Sequence, residues 1–226
     1  MEEIILTVIQ TVGFIVFSAA GTSIAIHKRT DIIGTIILAV VTCFGGGLIR
    51  DLTLGYIPPH LFTDTSFKHY ALLVVFVSFI LYHLAFSLDI DRFFGHKVTA
   101  FIIDICDSLG MAVFCIAGVN AAFEIKSFEM NAFLCIFCGA ITGTGGGILR
   151  DVMMAEVPRS FKKHIYLIPA ILGSAAYWVL SRFTAIGRIP STLIAITLIM
   201  VLRVLAIIFK WNLPIPGGKS SDKSFQ

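Results

Sequence analysis

The sequence predicts an all-α membrane protein: seven transmembrane helices, arranged as an inverted 3+3 repeat plus one C-terminal helix. Three observations predict it. Charged residues are scarce and are missing from long continuous stretches. One seven-residue motif occurs twice, each time at the end of an apolar run. The basic residues of the connections gather on one side of the resulting topology.

Of 226 residues, 57% are hydrophobic and 14% are charged, against roughly 25% charged in a soluble domain. A bilayer crossing needs about 20 apolar residues. Stretches near 4–26, 32–49, 68–88, 98–122, 128–149, 164–183 and 190–209 meet that need and use most of the chain, leaving no room for a soluble domain. The first is read as a retained span, because Glu2 and Glu3 stand where a signal peptide carries positive charge. Pro169 is expected to kink the sixth span, His83 to sit near an interface, and Arg203 to snorkel from the seventh span to the headgroups. Cys43, Cys106, Cys115, Cys135 and Cys138 all fall within spans. The C-x-x-C of Cys135 and Cys138 is read as helix packing rather than as metal or redox chemistry.

The repeat is read from the motif outward. Gly45-Gly46-Gly47-x-x-Arg50-Asp51 returns as Gly145-Gly146-Gly147-x-x-Arg150-Asp151, with Pro58 and Pro158 at the same distance beyond. Upstream, Gly13, Val16, Phe17, Ala20, Gly21 and Ala25 match Gly110, Val113, Phe114, Ala117, Gly118 and Ala122. Spans one to three thus recur as spans four to six. Three is odd, so the second unit enters the membrane upside down, with a pseudo-two-fold axis in the membrane plane. The expected division is 1–88, 89–183, a seventh helix over 184–210, and a cytoplasmic tail over 211–226.

Glycine-interrupted spans in matching places of two halves point to a site at the repeat interface. Each triplet is expected to break its helix, and the released backbone groups then need water or an ion. The alternative is close helix packing through small residues; the two are compatible. Thr42, Thr142 and Thr144 stand beside the triplets. Arg50 and Arg150 either snorkel or line a vestibule at each end, with Asp51 and Asp151 as counterions. Asp107, roughly 14 Å into the fourth span, is a functional candidate by its depth; its mate in the first repeat is Gln10. It either faces the seam or bonds a neighbouring helix. Gly143-Thr144-Gly145-Gly146-Gly147 lacks the Gly-Lys-[Ser/Thr] of a phosphate loop. No metal cluster or nucleophile–base arrangement is visible, so neither an enzyme nor a nucleic-acid binder is read here.

The doubled GGGxxRD, with Asp107-Ser108-Leu109-Gly110 in the fourth span, resembles the trimeric intracellular cation channel (TRIC) family in its prokaryotic branch, also described as a glycine transporter domain family. The resemblance covers essentially the whole chain. It implies a homotrimer in membrane lipid with a pore in each protomer, lined by glycine-kinked second and fifth helices. It also implies permeation by monovalent cations, mainly K⁺ or else Na⁺, with no cofactor. Animal members bind a phosphoinositide through Lys-Glu-Val, which this chain lacks, so that regulation is not implied. A secondary transporter of a small solute such as glycine is the other reading of an inverted repeat.

With the N-terminus outside, the cytoplasmic side holds Lys28, Arg29, Arg92, Lys97, Arg159, Lys162, Lys163, Lys210, Lys219 and Lys223; the other side holds Lys68, Lys126, Arg182 and Arg188. The positive-inside rule then places the C-terminus in the cytoplasm of a cell inner (plasma) membrane. A single cysteine at Glu2 in a Cys-free background is expected to react with an impermeant thiol reagent from outside, and one at Ser221 only from the cytoplasm. The reverse labelling overturns this orientation.

Overall fold

The computed structural model describes residues 1–87, 96–125, 131–162 and 165–211. Arg92, Lys126, Lys163, Lys219, Lys223 and most of the expected tail lie outside the described residues. The helices are α1 (Glu2–His27), α2 (Ile32–Thr53), α3 (His60–Thr63), α4 (Thr65–Ser87), α5 (His96–Phe123), α6 (Ala132–Met153), α7 (Arg159–Lys162), α8 (Leu167–Phe183) and α9 (Arg188–Ile208). Among the described residues, six are long and apolar enough to cross a membrane, and α8 is a shorter apolar helix. At 17 residues and about 1.5 Å per residue, α8 is slightly shorter than the hydrocarbon core. Pairing respects the repeat: α1, α2 and α4 pack on one another as α5, α6 and α8 do, α1 meets α5, α2 meets α6, and α9 lies on α8 and α5.

Matching residues start and stop the central helices. Asp31 accepts the Gly34 N–H at 2.7 Å to cap α2, and Asn131 accepts the Leu134 N–H at 3.0 Å to cap α6. Each side-chain oxygen satisfies one of the free donors of a first turn. Both helices end in the same paired bonds. Gly55 N–H reaches Leu52 O and Tyr56 N–H reaches Asp51 O; Ala155 N–H reaches Val152 O and Glu156 N–H reaches Asp151 O. This closure needs a left-handed residue, supplied by Gly55 at φ 80° and Ala155 at φ 54°.

Three expectations are corrected. The glycine triplets do not break their helices: both stay α-helical to Thr53 and Met153. No backbone is released, because the glycines are used for thinness instead. A Cβ on Gly46 would strike the Thr142 carbonyl, one on Gly146 would strike the Thr42 carbonyl, and one on Gly145 would lie 3.1 Å from the Gly46 Cα. The helices also run past the ends expected at 49 and 149, since the arginine and aspartate that follow neutralise each other inside the last turn. Finally, Pro169 does not kink a span. Its helix starts at Leu167, so the proline falls in the first turn, where an N–H has no intrahelical partner to lose.

Lipid tails are as apolar as leucine, so close packing rather than water exclusion holds such helices together. The Phe14 ring stacks on Tyr70 at 4.4 Å and meets Phe114 at 4.8 Å. Cys135 and Cys138 are fully buried with Met111, Cys115 and Ile199 in the second half. Gly173 admits the Ile199 side chain, which seats α9 on α8.

Gly46→Ala and Gly146→Ala are expected to destabilise the fold. Alanine recovers about 1 kcal/mol of helix propensity, but overpacking costs about 3 kcal/mol where the obstacle is backbone. Ala155→Gly is expected to do the opposite, by about 1 kcal/mol, because it relieves a left-handed alanine. Thermal unfolding of the purified protein in detergent checks both signs.

Candidate functional site

The two Arg-Asp pairs sit at opposite ends of the α2–α6 crossing, and both are buried rather than snorkelling. Arg50 donates from Nε at 2.8 Å and from Nη2 at 2.6 Å to Asp51 Oδ1. Arg150 donates from Nε to Asp151 Oδ1 at 2.9 Å, with Nη2 2.8 Å from the same oxygen. Asp51 and Asp151 are thus the counterions the sequence points to. Their neutralising bonds let charge sit in a helix turn that would otherwise have to reach water.

The ends then diverge. At the end nearer the C-terminus of α9, Arg150 Nη1 also reaches Asp107 Oδ1 at 3.4 Å, and the Tyr166 hydroxyl donates to Asp107 Oδ2 at 2.8 Å. Asp107, Arg150, Asp151 and Tyr166 are all buried, and they fill this end with bonded groups. Arg203 belongs to the same cluster. Its Nε donates to Ser108 Oγ at 3.1 Å and its guanidinium lies 4.5 Å over the Tyr166 ring. It is only 4% exposed, so the expected snorkelling is overturned: a hydroxyl and a ring face satisfy the cation inside the bundle.

At the other end, on the side where α1 begins, Gln10 takes the place of the second carboxylate. An open cavity of about 570 Å³ lies here, lined among others by Gln10, Arg50, His60, Asn120, Glu124 and Arg188. A small recess of about 30 Å³ shares Gln10 and Arg50 with it and goes on to Cys43, Gly47, Asp51 and Thr142. Asp51 Oδ2 accepts the His60 backbone N–H at 3.0 Å and lies 3.4 Å from the His60 Nδ1. His60 therefore adds a third and a fourth contact to a carboxylate already held twice by arginine.

The glycines divide into two kinds. Gly45, Gly46, Gly145 and Gly146 are packed at the crossing, whereas the third of each triplet faces the charged groups. A Cβ on Gly47 would meet only the Arg50 guanidinium, with Nη2 nearest at 3.7 Å; one on Gly147 would meet Arg150 Nη2 at 3.5 Å and the Tyr166 hydroxyl at 3.6 Å. The threonines turn back on their own helices: Thr42 to Leu38 O at 2.6 Å, Thr142 to Cys138 O at 2.5 Å, and Thr144 to Ala140 O at 2.7 Å. Of these, Thr142 reaches the recess. The residues that sequence reasoning missed are His60 and Tyr166. Both follow the motif prolines: His60 falls in a connection, where periodicity carries no signal, and Tyr166 at the start of the span expected from 164.

Residues 7–85 and 104–182 match the family model described as glycine transporter, one match in each half. A prokaryotic TRIC channel crystallised in 0.5 M KCl is 30% identical, with a TM-score of 0.78, covering 93% of this chain and 100% of that one. The TRIC orthologue from Rhodobacter sphaeroides is 26% identical, with a TM-score of 0.76 and coverage of 91% and 98%. The UPF0126 inner membrane protein YadS of Escherichia coli (strain K12) is 28% identical over 208 residues, 92% of this chain and 93% of that protein. With a seven-helix inverted architecture, a match in each repeat and these neighbours, the chain belongs to the trimeric intracellular cation channel family, in its prokaryotic branch.

Proposed function

We propose that the chain is a channel for monovalent cations, mainly K⁺, in a cell inner membrane, with one path inside each protomer of a homotrimer. The observation that carries this reading is the cavity that opens on the N-terminal side and adjoins, through Gln10 and Arg50, the small recess beside the α2–α6 crossing. Its lining includes the carboxylates of Glu3, Asp64 and Glu124 against the guanidiniums of Arg50 and Arg188; with Asp51 counted beside the Arg50 it neutralises, the excess is two negative charges. A cleft of one sign concentrates the opposite ion. Arg50 does not repel cations, because Asp51 neutralises it at contact distance. Gln10, Asn120 and the carboxylates supply oxygens, the ligands that suit a hard cation. The path runs beside the α2–α6 crossing, past Gly47, Asp51 and Thr142, then past Gly147, Thr144 and Asp107 in the inverted half. The bonded cluster of Asp107, Arg150 and Tyr166 closes the far end in this conformation. The TRIC structures similar to this chain are described as cation channels, which supports the same reading.

Purified protein in liposomes, tested with K⁺, Na⁺, Cl⁻ and glycine, separates the channel from a small-solute transporter. Gradient-driven K⁺ flux without glycine uptake is expected; coupled glycine uptake without K⁺ conductance overturns the proposal. Gly47→Leu is expected to lower K⁺ flux at least tenfold in protein that remains folded, since it fills the recess without touching the helix crossing. Tyr166→Phe is expected to raise flux several-fold by removing the 2.8 Å bond to Asp107, a bond worth about 1.5–3 kcal/mol when the acceptor is charged. Conductance in planar bilayers reads both variants, and an unchanged Gly47→Leu conductance removes the recess from the path.

A further inference from the structure

Resting on the channel reading, we propose that His60 is a proton-responsive charge at the cavity mouth that sets how strongly this end of the path attracts cations. The inference comes from placement. His60 lies in α3, outside the spans, with its side chain 30% exposed and lining the open cavity. Its Nδ1 is 3.4 Å from Asp51 Oδ2, and its ring meets Tyr56 edge-on with centroids 4.2 Å apart. Histidine is the ordinary side chain whose charge changes between about pH 5 and 8, and this one is wired to the carboxylate that neutralises Arg50.

The charges around it decide the sign. From α2 it faces Arg50 and Asp51, and from its own connection Tyr56 and Asp64. Across the cavity stand Glu3 of α1, Glu124 at the end of α5 and Arg188 of α9. With His60 neutral, the lining together with Asp51 carries four carboxylates against two guanidiniums. A proton on His60 makes it four against three and halves the excess that draws cations in. The same proton gives Asp51 a second cation to pair with, which loosens its hold on Arg50. Protonation therefore opposes cation entry twice, through the field and through Arg50. The inverted half has Ser160 at the matching place, so the response belongs to one face of the membrane.

The test uses the full-length protein in planar bilayers with K⁺ as the permeant ion and the pH stepped in one chamber at a time. Acidifying the chamber on the N-terminal side from about pH 7.5 to 5.5 is expected to lower K⁺ current about threefold, the effect of one unit charge several ångströms from the ion path in water. Acidifying the other chamber is expected to have little effect. His60→Gln is expected to give a current flat over this range, and His60→Lys a current that stays low throughout. The unmodified protein offers a second reading: its reversal potential in a KCl gradient moves toward that of Cl⁻ on acidification. A His60→Gln channel that keeps the wild-type pH response overturns the role of His60 while leaving the channel reading intact. So does a wild-type current that is indifferent to pH. A wild-type protein that conducts at no pH overturns the channel reading and this inference with it.

Discussion

Everything else in the molecule is arranged around the crossing of α2 and α6, where two helix backbones approach each other through glycine. Each triplet presents a surface without side chains, and the opposing threonine carbonyl takes up the space. In a bilayer such an approach is worth keeping, because dispersion contact between well-fitted surfaces is the main force available between spans. The approach also sets the positions of the charged ends. Arg50 and Arg150 follow the glycines by less than a turn, so the place where the backbones touch determines where both guanidiniums end up.

The second constraint is the handling of charge at depth. An unpaired ion inside the bundle is costly, and a pair tolerates burial only when its geometry is good. Both arginines meet this condition through the adjacent aspartate, a residue that travels with them in sequence. What lies beyond the pair is not repeated. One end adds Asp107, Tyr166, Ser108 and Arg203, a set in which each guanidinium has side-chain partners. The other end substitutes Gln10 and His60 and leaves an open cavity. A fold built by inversion thus carries one bonded end and one open end, which is a physical basis for asymmetry across the membrane.

The fold is largely legible in the sequence. Apolar length identified the spans to within a few residues, and the doubled motif identified the halves. The capping pairs extend the agreement, since Asp31 and Asn131 occupy equivalent positions and make equivalent bonds. The site was less legible. Gly45–Gly47, Gly145–Gly147 and the two Arg-Asp pairs were found because they recur. His60, Tyr166 and the inward role of Arg203 were not, because each occurs once and acts through a partner on another helix, nine residues away for His60 but 59 and 95 for Tyr166 and Arg203.

By itself, the sequence determined the number and place of the spans, the inverted relation of the halves and the residues at their meeting point. Those properties depend on local hydropathy, on repetition and on the lack of a Cβ, all of which are written residue by residue. Only the tertiary structure decided that the glycines thin a continuous helix instead of breaking it, and that Arg203 turns inward to Ser108 and Tyr166. It also decided which end of the crossing is filled and which is open. The reason is that a charged or glycine residue in a membrane takes whichever partner lies within a few ångströms. That partner is a carbonyl, a carboxylate or a ring on another helix, and no spacing along the chain specifies it.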